Sequence, residues 1–130
     1  MRRELEVEAS ASPSIKFVGF KNQTEMPAYY AAADVFVLPA EREPWGLAIN
    51  EAMASGTAVV ASDQCGAAHD LITPETGRMI EAGNMAALSG AISEILAQSH
   101  EMGAAAQAHV QLWDFEADVR GILSALEVTV

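Results

Sequence analysis

The sequence predicts an α/β fold in which a parallel β-sheet is flanked by helices. Short apolar runs typical of buried strands alternate with segments of helical periodicity, and this alternation predicts βαβ units. Val35 to Leu38 is apolar at every position, as expected for a parallel strand that is covered on both faces. A largely apolar segment between Pro44 and Gly56 predicts a buried helix beside such a sheet.

The first part of the chain is predicted to contain two helices and two short strands. The elements are, in order, a helix over Met1 to Ala9, a loop over Ser10 to Ser14, a buried strand over Ile15 to Gly19, a helix over Glu25 to Ala33 and the strand Val35 to Leu38. Pro27 is compatible with the second helix because it falls in the first turn, where a missing N–H group does no harm.

The second part continues the alternation of strands and helices. The elements are a helix between Pro44 and Gly56, a strand over Ala58 to Ala61, a short helix over Ala67 to Ile72, a strand over Gly77 to Ile80, and helices over Met85 to Gln98, Met102 to Val110 and Phe115 to Leu126. Pro44 suits the first turn of its helix and Gly56 the position just past the helix end. Asn84 is the expected N-cap of the following long helix.

The helix start after Pro44 combines an anion site with acidic side chains. Free N–H groups at Trp45, Gly46 and Leu47 would hold a diphosphate. Glu43, before the helix, and Glu51, roughly two turns into it, would accept hydrogen bonds from neighbouring hydroxyl groups. A ribose diol and a sugar ring flanking a diphosphate meet these demands, so the segment favours a nucleotide-sugar. Taken singly, each acid is also compatible with a solvated surface position.

Further segments strengthen this interpretation because they occur in a characteristic order. They are VGF at Val18 to Phe20, YYAAADVFVLPA at Tyr29 to Ala40, EPWGLAINEAMASG at Glu43 to Gly56, GTAVVASD at Gly56 to Asp63, GAAHDLI at Gly66 to Ile72, TGRMI at Thr76 to Ile80 and the late LWDFEADVRGIL. Together they resemble family four of the retaining glycosyltransferases with the GT-B fold, whose signature is E-x7-E. The resemblance covers about residues 15–125.

The resemblance implies a Rossmann-like sheet, as in the C-terminal, donor-binding domain of the GT-B fold. It also implies transfer of a sugar from a nucleotide-diphosphate-sugar to an acceptor, with retention of configuration and without a metal ion or cofactor. Glu43 matches the first acid of the signature, a catalytic-site residue that contacts the transferred sugar. Glu51 matches the second acid, which holds the nucleotide ribose. The backbone of Trp45, Gly46 and Leu47 matches the segment that meets the diphosphate.

Other matched positions are less specific. Phe20 and Lys21 match a loop that often touches the base in this family. Asp70 matches a position that is usually acidic, for which a structural role is an equal alternative. Arg42 is the one cation placed to help a diphosphate, or to pair with a neighbouring glutamate. The histidines, which show no metal-ligand spacing, are expected to be surface or packing residues: His69, His100 and His109.

Composition excludes several function classes. A net charge of −11 argues against a nucleic-acid-binding protein, which needs a basic patch. No apolar run is long enough to span a bilayer. Cys65 is the only cysteine of the chain, which fits a reducing compartment. We therefore expect a cytoplasmic protein, with peripheral attachment of the full enzyme to the membrane left open.

The family's upstream half-domain and N-terminal domain have no counterpart in this sequence. Residues 1–130 are therefore expected to form a single domain that is incomplete at its N-terminal side. A carbohydrate or lipid-linked acceptor would bind through that other domain. We expect the chain alone to bind donor weakly, to lack transferase activity and to self-associate through exposed sheet edges and apolar surface.

Alternatives from other classes stay open. The chain is also compatible with a stand-alone, non-catalytic nucleotide-binding or interaction module that pairs with a separate acceptor-binding subunit. A sugar-nucleotide epimerase with the same fold is disfavoured by the E-x7-E spacing and by the match at Gly66 to Ile72. The sequence does not identify the nucleotide, the sugar or the acceptor.

Overall fold

The computed structural model describes residues 2–127 and contains a parallel sheet flanked by helices. The elements are α1 (Arg2–Ala9), α2 (Met26–Ala31), β1 (Val35–Leu38), α3 (Leu47–Ala54), β2 (Ala58–Ser62), α4 (Gly66–Leu71), β3 (Gly77–Ile80), α5 (Met85–Leu96), α6 (Ser99–Val110) and α7 (Phe115–Glu127). Met1, the predicted start of the first helix, lies outside the described residues. The predicted α/β class is confirmed.

Within residues 2–127, the sheet has three parallel strands in the order β1-β2-β3. Val35 lies opposite Ala58, and Val59 lies opposite Gly77. Gly77 is required here because a Cβ atom at this position would overlap the Val59 carbonyl oxygen. The carboxyl ends of all three strands consequently meet at one edge of the sheet.

Side chains alternate between the two faces of the sheet, as the period of a strand requires. On one face, Val59 and Ala61 pack with buried residues of α2, α3, α4 and α6. On the other face, Ala58 and Val60 pack with buried residues of α5 and with Met102. All residues of β2 are buried, whereas β1 is half-buried because it lies at an edge of the described sheet.

Helix boundaries follow local signals with one exception. Pro27 lies at the start of α2, and the Asn84 side chain accepts a 3.0 Å hydrogen bond from the N–H group of Ala87 at the start of α5, as predicted. Helix α3 begins at Leu47 rather than at Pro44. The reason is that Gly46 has a φ of 95°, a left-handed conformation that a helix cannot include.

The predicted buried strand over Ile15 to Gly19 is wrong. This segment is irregular and exposed, with 54% of Ile15 and 45% of Phe17 accessible. A strand needs a hydrogen-bonded neighbour, and in the described part of the chain no strand pairs with this segment. Apolar composition alone therefore did not decide its structure.

The predicted burial of α3 is correct for one side of the helix only. Ile49, Ala52 and Met53 are fully buried, but Leu47 is 61% exposed and Ala54 is exposed.

None of the helices found in residues 2–127 is both long and apolar enough to cross a membrane.

Candidate functional site

The loops that follow β1 and β2 are joined at the carboxyl edge of the sheet. The Ser62 hydroxyl donates a 2.5 Å hydrogen bond to the Ala40 carbonyl oxygen. The N–H group of Glu43 donates to the Gln64 carbonyl oxygen at 3.0 Å, and the N–H group of Gly66 donates to the Glu43 carbonyl oxygen at 3.2 Å. These bonds extend the parallel pairing of the two strands beyond their ends and fix the backbone of Glu43.

Gly66 allows the two loops to approach closely. A Cβ atom at this position would overlap the carbonyl oxygen of Pro44. The next residue, Ala67, donates its N–H group to the Trp45 carbonyl oxygen at 2.7 Å. Residues 43–45 are therefore held against the start of α4 by backbone hydrogen bonds and are not helical.

Gly46, which precedes α3, joins this segment to the helix. Its carbonyl oxygen accepts the N–H group of Ile49 at 2.8 Å, so the N–H groups of Leu47 and Ala48 are the free ones of the first turn. The Glu43 side chain lies over this turn. Its Cγ atom is 3.4 Å from the position that a Cβ atom on Gly46 would occupy. The helix start thus presents free N–H groups beside a carboxylate.

The Glu43 carboxylate makes one weak contact within the described residues. Its Oε1 atom accepts the N–H group of Trp45 at 3.4 Å, which is long for such a bond. The side chain is half-buried at the helix start, where the helix dipole favours negative charge. The carboxylate therefore lies beside the first turn of α3.

Glu51 lies on the half-buried side of α3 and is held by a residue that sequence reasoning did not single out. The hydroxyl of Tyr30, on α2, donates a 3.0 Å hydrogen bond to Glu51 Oε2. Burial, followed by the hydrogen bond to Glu51 and the Glu51 charge, raises the pKa of Tyr30 to about 12. The sequence signal for this contact is that Tyr30 lies in an otherwise apolar segment. A buried tyrosine hydroxyl usually finds a hydrogen-bond partner.

Phe20 and Lys21 lie in irregular chain before α2, and neither contacts the side chain of Glu43 or Glu51 in the described part of the chain. Phe20 is 91% exposed. Lys21 pairs with Glu25 at 3.6 Å and places its ammonium group 5.2 Å from the centre of the Tyr29 ring. The Tyr29 hydroxyl, and to a smaller extent Glu25, raise the pKa of Lys21.

A cavity of about 380 Å³ opens beside the start of α3, on the side of the last helix. The lining residues are Trp45, Leu47, Asn50, Trp113, Asp114, Phe115 and Asp118. The Trp45 indole N–H group donates to Asn50 Oδ1 at 3.1 Å, which fixes the indole at the mouth of the cavity. Sequence reasoning had used the aromatic residues near Trp113 only to mark the last helix.

The remaining candidate residues either make local contacts within the fold or lie exposed on the surface. Cys65 is fully buried, with its Sγ atom 3.5 Å from the Ser62 hydroxyl. His69 contacts the Asp63 carbonyl oxygen through Nε2 at 2.8 Å, and Asp70 is exposed on α4. Arg42 is exposed and forms no ion pair with another described residue. Residues 2–127 contain no group of three or more side chains that could hold a metal ion.

Comparison with known proteins gives consistent similarities. The sequence matches the family described as Glycosyl transferases group 1 over residues 3–109. It is 37% identical over 100 residues to the GDP-mannose-dependent alpha-mannosyltransferase of Mycolicibacterium smegmatis, a match that covers 75% of this chain and 26% of that protein.

Two solved structures share the fold. Sucrose-phosphate synthase from Thermosynechococcus elongatus superposes with a TM-score of 0.81 and 32% identity, over 99% of this chain and 34% of that one. Anabaena HepE in complex with UDP superposes with a TM-score of 0.79 and 26% identity, over 98% of this chain and 36% of that one. The chain therefore spans between 26% and 36% of the length of these three relatives.

Proposed function

Because the chain belongs to the group 1 glycosyl transferases, we propose that it binds the nucleotide-diphosphate-sugar donor of a glycosyl-transfer reaction. The observation that carries the proposal is the arrangement around α3. Glu43, the free N–H groups of Leu47 and Ala48, and Glu51 all belong to this helix or its immediate start, beyond the carboxyl end of β1. Ligands of open parallel sheets bind at that edge.

Each group has a role that follows from its chemistry. The first turn of α3 binds the diphosphate through its N–H groups and its dipole. Glu51 accepts hydrogen bonds from the ribose diol, and Glu43 accepts them from hydroxyl groups of the sugar. Two relatives support the donor-binding role, since one is a GDP-mannose-dependent enzyme and HepE was solved with UDP and with UDP-glucose.

We propose further that the reaction proceeds with retention and without a metal ion. The bond between the anomeric carbon and the diphosphate oxygen breaks, the acceptor oxygen bonds to that carbon, and the acceptor hydroxyl passes its proton to the leaving diphosphate. The preorganised N–H groups of α3 stabilise the negative charge that develops on the leaving diphosphate. A carbohydrate or lipid-linked acceptor would bind outside the chain described here, and the reaction would take place in the cytoplasm.

A non-catalytic module that pairs with a separate acceptor-binding subunit is the second candidate. The observation in its favour is the large apolar area left on α7, where Phe115 is 89% and Ile122 is 62% exposed. Purification of this chain with a bound glycosyltransferase N-terminal half would support the module. Stable purification without any such partner, together with sugar transfer by the chain, would contradict it.

Calorimetric titration with UDP, GDP and ADP, and with their glucose or mannose conjugates, tests the proposed donor site. We expect one nucleotide to bind and Glu51→Ala to weaken that binding at least tenfold. Glu101→Ala is the matched control, because Glu101 is an exposed acid in the first turn of α6. A folded chain that binds none of these nucleotides, or that binds one equally well with Glu51→Ala, would contradict the proposed site.

A further inference from the structure

Tyr30 is a buried residue whose only polar side-chain atom contacts the candidate site. Its ring is 6% exposed and its hydroxyl lies 3.0 Å from Glu51 Oε2. Among the described residues no other side chain bonds to the Glu51 carboxylate, so Oε1 has no partner within this part of the chain. Tyr30 therefore holds one oxygen of the Glu51 carboxylate, whereas no described side chain holds the other.

The position of the Tyr30 hydroxyl is fixed from several sides. The ring meets the ring of Phe36 edge-on, with centroids 5.4 Å apart and an interplanar angle of 88°. The backbone carbonyl oxygen of Tyr30 accepts a 2.7 Å hydrogen bond from the buried hydroxyl of Thr57. Both partners come from β1 or the approach to β2, so the tyrosine is anchored on the sheet and reaches across to α3.

We infer that Tyr30 is a positioning residue for Glu51. Its hydroxyl holds Oε2 and thereby directs Oε1 towards the hydroxyl groups of the nucleotide ribose. A glutamate side chain that is not held samples several rotamers, and binding must then restrict them. Preorganisation of the carboxylate removes that cost from donor binding. The inference rests on the proposed function, because it assumes that Glu51 contacts the ribose.

The protonation states of the two groups suit this role. With the Tyr30 pKa at about 12, the hydroxyl keeps its proton throughout the physiological range and remains a donor. Glu51 faces that hydroxyl, and the Ser55 hydroxyl on the same helix bonds to the Glu51 backbone rather than to its side chain. A neutral donor facing a carboxylate gives a charge-assisted hydrogen bond, which is stronger than a neutral one.

A purely structural role for Tyr30 is the simpler alternative, since the same bond ties α2 to α3. The two roles predict different effects on the affinities for nucleotides with and without a ribose hydroxyl group. A positioning role acts through the ribose hydroxyl groups, so its loss weakens binding of a ribonucleotide more than binding of the 2′-deoxy analogue. A purely structural role changes folding stability and leaves the ratio of the two affinities unchanged.

Tyr30→Phe tests the inference because it removes the hydroxyl and keeps the ring. Calorimetric titrations would compare UDP with 2′-deoxy-UDP, and GDP with 2′-deoxy-GDP, for the wild-type chain and the variants. We expect Tyr30→Phe to weaken ribonucleotide binding roughly two- to twelvefold, which is the cost of immobilising one rotamer-rich side chain on binding. Binding of the 2′-deoxy analogue, which keeps only the 3′-hydroxyl, should change less than binding of the ribonucleotide. Ser89→Ala is the control, because it removes an exposed hydroxyl group on α5.

The outcomes separate this inference from the proposed function. If Glu51→Ala weakens binding and Tyr30→Phe does not, the positioning role is wrong while the donor site stands. If Tyr30→Phe adds a full further loss on top of Glu51→Ala, Tyr30 acts independently of Glu51 and the inference is overturned. If the folded wild-type chain binds neither nucleotide, the proposed function fails, and the inference fails with it.

Discussion

The hydroxyl of Thr57 donates a 2.7 Å hydrogen bond to the backbone carbonyl oxygen of Tyr30, 27 positions earlier in the chain. Both residues are buried, at 1% and 6% exposure. Thr57 stands immediately before β2, and Tyr30 lies in α2, so the bond attaches that helix to the start of the central strand. A short helix that would be marginal alone is thereby fixed in the fold.

Thr57→Val should lower the free energy of unfolding by about 1–3 kcal/mol. Valine keeps the shape of threonine but removes the donor, which leaves the Tyr30 carbonyl oxygen buried without its partner. Urea unfolding followed by far-ultraviolet circular dichroism measures the loss. Ser89→Ala is the control, since Ser89 is exposed on α5, and it should change stability by less than about 0.5 kcal/mol. Equal effects of the two substitutions would contradict the assigned role of Thr57.

Ionisation of Tyr30 should make the folded state sensitive to alkaline pH. The Tyr30 pKa is raised from 10.0 to about 12, first by burial and then by Glu51. A raised pKa means that the stabilisation is fully present below about pH 10 and is lost as the pH rises towards about 12. The free energy of unfolding should fall by up to about 1.4 kcal/mol per pH unit across that window.

The alkaline effect is measured by urea unfolding between about pH 9 and about pH 11.5. Tyr30→Phe should lose this part of the pH dependence, whereas Tyr29→Phe should retain it. The difference between the two variants isolates Tyr30 from the other groups that titrate in alkali. Identical pH profiles for the wild-type chain and Tyr30→Phe would show that Tyr30 does not carry the effect.

Gly46→Ala should destabilise the start of α3. Gly46 has a φ of 95°, and an L-residue in the left-handed region costs roughly 1–2 kcal/mol. The new Cβ atom would also contact Glu43 and Leu38 at 3.4 Å. Gly90→Ala is the opposite case, because Gly90 is inside α5 with open space around it, and it should stabilise by about 0.5–1 kcal/mol. A stabilising effect at both positions would contradict the backbone geometry at Gly46.

Gly66→Ala should separate the two loops that carry the candidate site. The added methyl group would overlap the Pro44 carbonyl oxygen, and forced overpacking typically costs about 1–3 kcal/mol. The bond between Gly66 and Glu43 would be strained at the same time. Thermal unfolding compares this variant with Gly121→Ala, where nothing lies within 4 Å of the added atom. A variant as stable as the Gly121→Ala control would mean that the loops do not need their close approach.

The strands of the sheet were largely predictable, because each is indicated by its own short segment of sequence. Val35 to Leu38 was predicted with the bounds that β1 has, since a continuous apolar run between turns has few alternatives. The bounds predicted for Gly77 to Ile80 are also those of β3. Ile15 to Gly19 is likewise short and largely apolar, but it has no pairing partner in the described chain. Pairing is a long-range property, and composition does not reveal it.

The candidate site was predictable in its residues and less so in its geometry. The spacing of Glu43 and Glu51 identifies the segment, but the start of α3 depends on the left-handed Gly46 and on loop contacts with Gly66. Tyr30 was missed because its contact with Glu51 joins positions 21 residues apart. No local sequence pattern predicts that contact, because it is produced by the packing of α2 on α3.

The chain should self-associate in solution, because apolar side chains cover one face of α7. Phe115, Val119, Ile122 and Leu126 recur at helical spacing and are 89%, 54%, 62% and 61% exposed. Light scattering at increasing protein concentration should give a rising average mass. Ile122→Lys should reduce the association by placing a charge on this face, and the control Ser124→Lys, on the opposite side of the helix, should not. A monomer at every concentration, or equal effects of the two lysines, would contradict association through α7.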